Sequence, residues 1–216
     1  MKDLSLTQKY LLCVLNSKGR VSTFEIEKVM CIAASGVIEL LLDGIAELDK
    51  KKIELKKALP MEKKFLQPIY DFIERKQPVK FEKVIENYSI AFTDKNINEL
   101  IGSLGESLAE AGCVRKEKGG LFGGKDVYVP DKKEVDLIIQ NIRAEILEEG
   151  ELSEDIVALT ALLNKSGDLT KYFSAYEKKD LKNRLREIKE NPMNKEIQKV
   201  ADYVDTLLLL LIVAGT

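Results

Sequence analysis

The chain contains no histidine and no tryptophan. Without histidine it has no usual general base, no proton shuttle near neutral pH and no imidazole metal ligand. Its three cysteines, Cys13, Cys31 and Cys113, are far apart and form no Cys-x-x-Cys pair, which argues against a conventional zinc site and for buried free thiols. No charge sign dominates: 34 Lys and Arg against 36 Asp and Glu leave a formal net charge of −2. Any attraction to a polyanion must therefore come from a local patch. Long apolar runs are also absent. The most apolar stretch, "DTLLLLLIVAGT", has an uninterrupted run only from Leu207 to Ala214. A bilayer requires roughly 20 apolar residues, so this run is expected to form a buried core helix. The opening "MKDLSLTQKYLL" leads directly into an amphipathic pattern rather than a signal peptide.

What is present reads as helix. Ser5 with Gln8, Ser22 with Glu25, and Ser174 with Glu177 have capping-box spacing, in which each side chain satisfies a free N–H of the first turn. Asn191-Pro192 places a cap before a proline at the first helical position. Gly44, Gly112, Gly150 and Gly167 each follow an apolar-periodic run, where a left-handed residue ends a helix. The periodicity predicts helices near 5–17, 23–33, 36–43, 62–76, 79–88, 94–111, 132–148, 154–165, 175–189 and 193–213. Two hairpins interrupt them. "IAELDKKKIELKK" alternates around a lysine turn at 45–57, and "CVRKEKG" and "KDVYVP" flank a glycine-rich tip. The expected fold class is mainly α. One domain over residues 1–216 carries a small N-terminal hairpin and a projecting glycine-rich hairpin.

The order of three helices and a hairpin would fit a winged-helix module. Its third helix, "SGVIELLLDG", carries Glu39 and Asp43 and no cation. A groove reader needs cations for phosphates and amide or guanidinium groups for base edges, so nucleic acid is not an expected partner. The acidic run "EILEEGELSED" reads as a solvated face rather than paired catalytic carboxylates. "GGLFGG" lacks the Gly-Lys-Ser/Thr ending of a phosphate loop. No nucleophile motif emerges, and the chain is not expected to be an enzyme or to hold a cofactor or metal.

The second hairpin, 114–130, holds the most informative site. Arg115, Lys116, Lys118 and Lys125 crowd its stems, offset by Glu117 and Asp126, and Leu121 and Phe122 occupy its tip. Basic stems with an apolar tip suit an anionic membrane, where each cation is worth about 1 kcal/mol. Burying the Leu-Phe pair would add roughly 2–5 kcal/mol. The same design suits a protein groove, including that of a second copy. A third reading folds the tip back onto its own core.

Four stretches, in order, resemble the Golgi phosphoprotein 3 family: "LTQKYLLCVLNSKGRVS", "SGVIELLLDGIAELDKKKIEL", "SLAEAGCVRKEKGGLFGGKDVYVPD", and the pair "DIVALTALL" and "ADYVDTLLLLLIVAGT". The resemblance implies a mainly α-helical, non-enzymatic protein, cytoplasmic and peripheral to membranes. It also implies binding to phosphatidylinositol 4-phosphate-type headgroups, and a hairpin used in membrane contact and self-association. The family's pocket aromatic falls at Phe24, and its three arginine positions fall at Ala33, Asn98 and Ile101. The candidate headgroup residues are therefore Phe24, Lys28, Arg115 and Lys116. The membrane or subunit contact falls to Lys118, Leu121, Phe122 and Lys125. The alternative is a protein–protein adaptor or self-associating scaffold that uses the 114–130 hairpin.

Overall fold

A computed structural model describes residues 2–22, 24–89, 94–119, 124–148 and 152–190. Within these, the chain begins with α1 (Leu6–Val14) and α2 (Ile26–Leu42), followed by the strands β1 (Ala46–Asp49) and β2 (Lys52–Leu55). A 3-10 segment (Met61–Leu66) leads into α3 (Gln67–Lys76), a two-residue strand β3 (Val79–Lys80), α4 (Phe81–Ser89) and α5 (Lys95–Glu110). The second hairpin, β4 (Val114–Gly119) and β5 (Lys125–Pro130), precedes α6 (Lys132–Ile142) and a π-helical turn (Arg143–Leu147). α7 (Glu154–Lys165), a 3-10 turn (Asp168–Lys171) and α8 (Ala175–Glu190) complete it. The fold is mainly α with small antiparallel hairpins, as the periodicity predicts. The C-terminal helix expected at 193–213, the Asn191-Pro192 start and the run from Leu207 lie outside the described residues, as does Gly150.

Two of the three capping boxes form. Ser5 and Gln8 exchange side-chain and backbone hydrogen bonds at the start of α1. Ser174 and Glu177 do the same ahead of α8, at 3.2 and 2.8 Å. The pair Ser22 and Glu25 does not: the Glu25 N–H goes to the Ser22 carbonyl, and the Glu25 carboxylate is drawn to Lys28. Gly44, Gly112 and Gly167 have φ of 61°, 66° and 77°, as helix-ending residues should.

The two helices predicted at 23–33 and 36–43 are one. Residues Ser35 and Gly36, which suggest a break, lie inside α2 and are fully packed. A Cβ at Gly36 would stand 2.3 Å from Ile69 Cδ1, so the glycine is there to let α3 approach. This leaves two helices before the first hairpin rather than three, and the winged-helix order disappears. α2 is the central rod, packing against α1, α4 and α7. Buried residues from all the described helices join one core cluster, with Leu11, Ile32, Ile38, Ile69, Ile85 and Leu159 fully buried. Cys13, Cys31 and Cys113 are free and buried.

The first hairpin gains a strand that alternation could not reveal. β3 is too short to carry a pattern, yet it pairs with β2 through Val79 opposite Ile53 and Lys80 opposite Lys52. The π-helical turn marks where α6 ends, and its Arg143 ties the chain to the start of α8. Arg143 Nε donates to Glu177 at 3.0 Å, Nη2 donates to the Tyr172 carbonyl at 2.9 Å, and its guanidinium stacks 4.7 Å from the Phe173 ring centroid.

Candidate functional site

The loop between α1 and α2 is shaped by its own backbone. Asn16 closes it: its side chain accepts the N–H groups of Lys18 and Arg20 at 2.8 and 3.2 Å. Its backbone exchanges further bonds with Gly19 and Arg20. Gly19 adopts φ 69° and lies so close to β5 that a Cβ would fall 2.6–2.7 Å from the Tyr128 and Val129 backbone. The Gly19 carbonyl accepts the Tyr128 N–H at 3.2 Å. The loop is thereby docked on the glycine-rich hairpin, and Arg20 is carried to its edge. A Cβ on Gly119 would lie 2.7 Å from Arg20 Nη2.

The hairpin is anchored from the other side by α5. Tyr128 lays its ring over Gly105, where a Cβ would come within 2.3 Å of the ring, and its hydroxyl donates to Glu106 at 2.7 Å. Burial, and then the neighbouring Glu106 carboxylate, push the Tyr128 phenol pKa up.

Loop, α5 and hairpin enclose a cavity of about 540 Å³. Phe24, Asn98 and Ile101 line it, so three of the positions matched to the family pocket meet in space. Ala33, the fourth, is fully buried in α2 and does not line it. Phe24 is 93% exposed, a bare ring on the rim. Among the described residues the cations facing the cavity are Arg20 and Lys125, and its carboxylates are Asp94 and Asp126. Asp126 is already engaged by Lys118 at 2.6 Å and Lys116 at 3.3 Å, and these contacts lower its pKa. Among the described residues neither Arg20 nor Lys125 has a carboxylate within ion-pair distance.

The remaining predicted residues lie elsewhere. Lys28 points into an adjacent cavity of about 700 Å³ on the other side of Phe24. There it pairs with Glu25 and lies 3.4 Å from the buried Asp168. Burial pushes the Lys28 pKa down, but its two carboxylate partners outweigh burial and leave it raised. Arg115 is exposed on β4 and faces Glu117 at 3.5 Å. Lys116 is held by Glu106 as well as Asp126, and hydrogen bonds to both raise its pKa. Leu121 and Phe122 lie outside the described residues.

Arg20 was the residue missed. Its signal was local: a Gly-Arg pair directly after the α1 pattern, in a loop too short to move far from the hairpin. Lys125 belonged to the contact hairpin on sequence grounds, and its strand end turns out to border the same cavity.

Among the described residues no group of three or more Cys, Asp or Glu could hold a metal ion. No described helix is long and apolar enough to cross a membrane. No curated protein sequence matches the chain significantly. A family model does: the one described as Golgi phosphoprotein 3 (GPP34) matches residues 6–204, and the chain belongs to that family.

Proposed function

We propose that this is a non-enzymatic, peripheral membrane protein of the cytoplasmic face, which binds anionic, phosphoinositide-type lipid headgroups between the 19–24 loop, α5 and the second hairpin. The observation that carries the reading is the pairing of Arg20 with Lys125 across one cavity, both without carboxylate partners among the described residues. A guanidinium grips phosphate through two parallel hydrogen bonds, and a lysine adds a mobile point charge. The exposed Phe24 ring on the rim would enter the interfacial region of the bilayer.

Headgroup selectivity should be modest. Alanine, asparagine and isoleucine occupy the three positions where the family resemblance expects arginine, so Arg20 alone supplies a guanidinium. Flotation with vesicles of phosphatidylinositol 4-phosphate or phosphatidylserine, matched in charge, tests both points. Arg20→Gln should weaken binding to either lipid about tenfold, one lost charged hydrogen-bonding group. Arg115→Gln should change little. Unaltered binding by Arg20→Gln would move the site elsewhere, and a lipid preference well beyond tenfold would mean that other cations complete the pocket.

A second reading assigns the hairpin to a protein contact. Lys116 and Lys118 are already neutralised by Glu106 and Asp126, which leaves the stem less charge to offer a membrane. Leu121→Ser with Phe122→Ser separates the two. A membrane tip loses vesicle binding at every salt concentration with an unchanged salt slope. A subunit contact keeps vesicle binding and loses self-association in sedimentation.

A further inference from the structure

A second concentration of positive charge lies on the three-stranded sheet. The turn joining β1 to β2 consists of Lys50 and Lys51, which have φ of 43° and 73°. Left-handed backbone in such turns is normally left to Asn and Gly. Lys52 follows at once, and the strand register sets it directly opposite Lys80 of β3. Like charges facing each other across a ladder repel. Beside Lys80 runs an open groove of about 850 Å³, floored by Phe72, Pro78 and Val79 and rimmed by Lys76, Lys80 and Lys83.

Lys83 is spent on Glu86, a carboxylate that also lines the groove. Lys50, Lys51, Lys52, Lys76 and Lys80 are exposed, and among the described residues none has a carboxylate within ion-pair distance. Lys76 and Lys80 rim the groove itself, while Lys50, Lys51 and Lys52 add positive charge at the neighbouring turn and the start of the central strand β2, where the register also sets Asp49 opposite Lys52. One lysine and a proline suffice to blunt an edge strand against unwanted pairing. Edge protection does not call for two lysines in left-handed turn positions, or for two more facing each other across the ladder.

We propose that this groove is a docking site for an acidic peptide segment of a partner protein, one in which Asp or Glu alternates with apolar residues. Successive side chains of an extended peptide point to opposite sides, so carboxylates can meet the lysine rim while apolar groups cover the Phe72, Pro78 and Val79 floor. Electrostatic complementarity of this kind raises on-rate and selects among partners more than it adds affinity. The chemistry fits a peptide better than nucleic acid. The rim holds lysines and no arginine, so it lacks the planar forks that read bases and stack on them. It also fits a peptide better than a lipid surface. α2 has 17 residues, so it carries the chain about 25 Å away from Phe24 before β1 begins. The choice of peptide over lipid rests on the reading of Phe24 as the membrane side, whereas the groove shares no lining residue with the headgroup pocket.

The test is fluorescence anisotropy on the full chain with a labelled eight-residue peptide of alternating Glu and Leu. Comparison probes are its Lys-Leu counterpart, an all-Glu octamer, a single-stranded DNA 12-mer and phosphatidylserine vesicles. The Glu-Leu peptide should bind more tightly than any of the soluble comparison probes. Lys76→Glu combined with Lys80→Glu should weaken it at least tenfold and leave vesicle binding unchanged. In the same double variant Lys80→Glu sets opposite charge across from Lys52, which offsets the loss of a cation from the last turn of α3, so the thermal midpoint should stay nearly unchanged. Thermal stability thus shows that lost binding is not lost folding. The proposal fails if the Glu-Leu peptide does not bind or the double variant binds it normally. Tighter binding of the DNA, or loss of vesicle binding in the variant, would also overturn it by assigning the lysines to another surface.

Discussion

Glu39, near the end of α2, accepts the backbone N–H of Thr7 at 2.9 Å. Thr7 stands in the first turn of α1, where backbone donors have no partner within the helix. The Ser5–Gln8 box serves its neighbours, and Glu39 serves Thr7 from 32 residues away. The other Glu39 oxygen accepts from Lys63 at 2.7 Å, and Lys63 also reaches Asp43 at 2.8 Å. A carboxylate that is 2% exposed thereby locks α1, α2 and the 3-10 segment together.

Removing that carboxylate strands the Thr7 N–H in a dry site and leaves Lys63 with one partner. Glu39→Ala should cost about 3 kcal/mol, and Glu39→Gln, which still offers an acceptor, about half as much. Urea denaturation measures both. A loss below about 1 kcal/mol for the alanine variant would show that water replaces the bond.

Gly105→Ala places a methyl group where the Tyr128 ring lies, 2.3 Å from Cδ2. The hairpin must lift or the ring must leave its rotamer, at a cost of about 1–3 kcal/mol. Because Tyr128 also borders the headgroup cavity, the same variant should weaken vesicle binding. Unchanged stability and binding would mean that the hairpin is not held by this contact.

Burial pushes the thiols of Cys13 and Cys31 up to about 12. Both remain neutral in the folded protein while an unfolded thiol, near pKa 8.5, ionises. Their contribution to stability is complete below about pH 8.5 and fades as pH rises from there to about 12. Buried Tyr10 and half-buried Tyr172, both raised chiefly by desolvation, add to the loss at high pH. Thermal midpoints should fall between pH 8.5 and 10.5, and less steeply in Cys13→Ala with Cys31→Ala. At pH 7.5 a thiol reagent should label neither cysteine until denaturant is added. Rapid labelling of the native protein would contradict the burial.

The lysine turn gives a trade between stability and binding. Lys50→Asn with Lys51→Gly suits the left-handed positions and should stabilise the protein by about 1 kcal/mol. The same change removes two cations that stand beside the groove rather than in its lining, so affinity for the Glu-Leu peptide should fall, less than in the Lys76 and Lys80 double variant, as the thermal midpoint rises. A variant that gains stability with no loss of peptide affinity would confine docking to Lys52, Lys76 and Lys80.

Local rules determined much of this molecule from its sequence. The 3.6-residue apolar period located α7 at 154–165 with both ends correct, and α5 and α8 to within a residue or so. Alternation located the first hairpin, a glycine-rich tip between two short stretches located the second, and glycines after apolar runs located left-handed helix ends at 44, 112 and 167. These features depend on neighbours a few residues apart, which the sequence lists side by side. Tertiary structure decided what neighbours do not control. Gly36 reads as a helix break until Ile69 is seen to need its space. Glu25 leaves its cap because Lys28, held near Asp168, draws it away. β3 exists only because Ile53 of β2 lies beside Val79. Arg20 becomes a cavity residue because Gly19 lets its loop touch β5. In each case the deciding partner is distant in the chain, and its approach is fixed by packing α2 and the hairpins onto a common core rather than by any local preference.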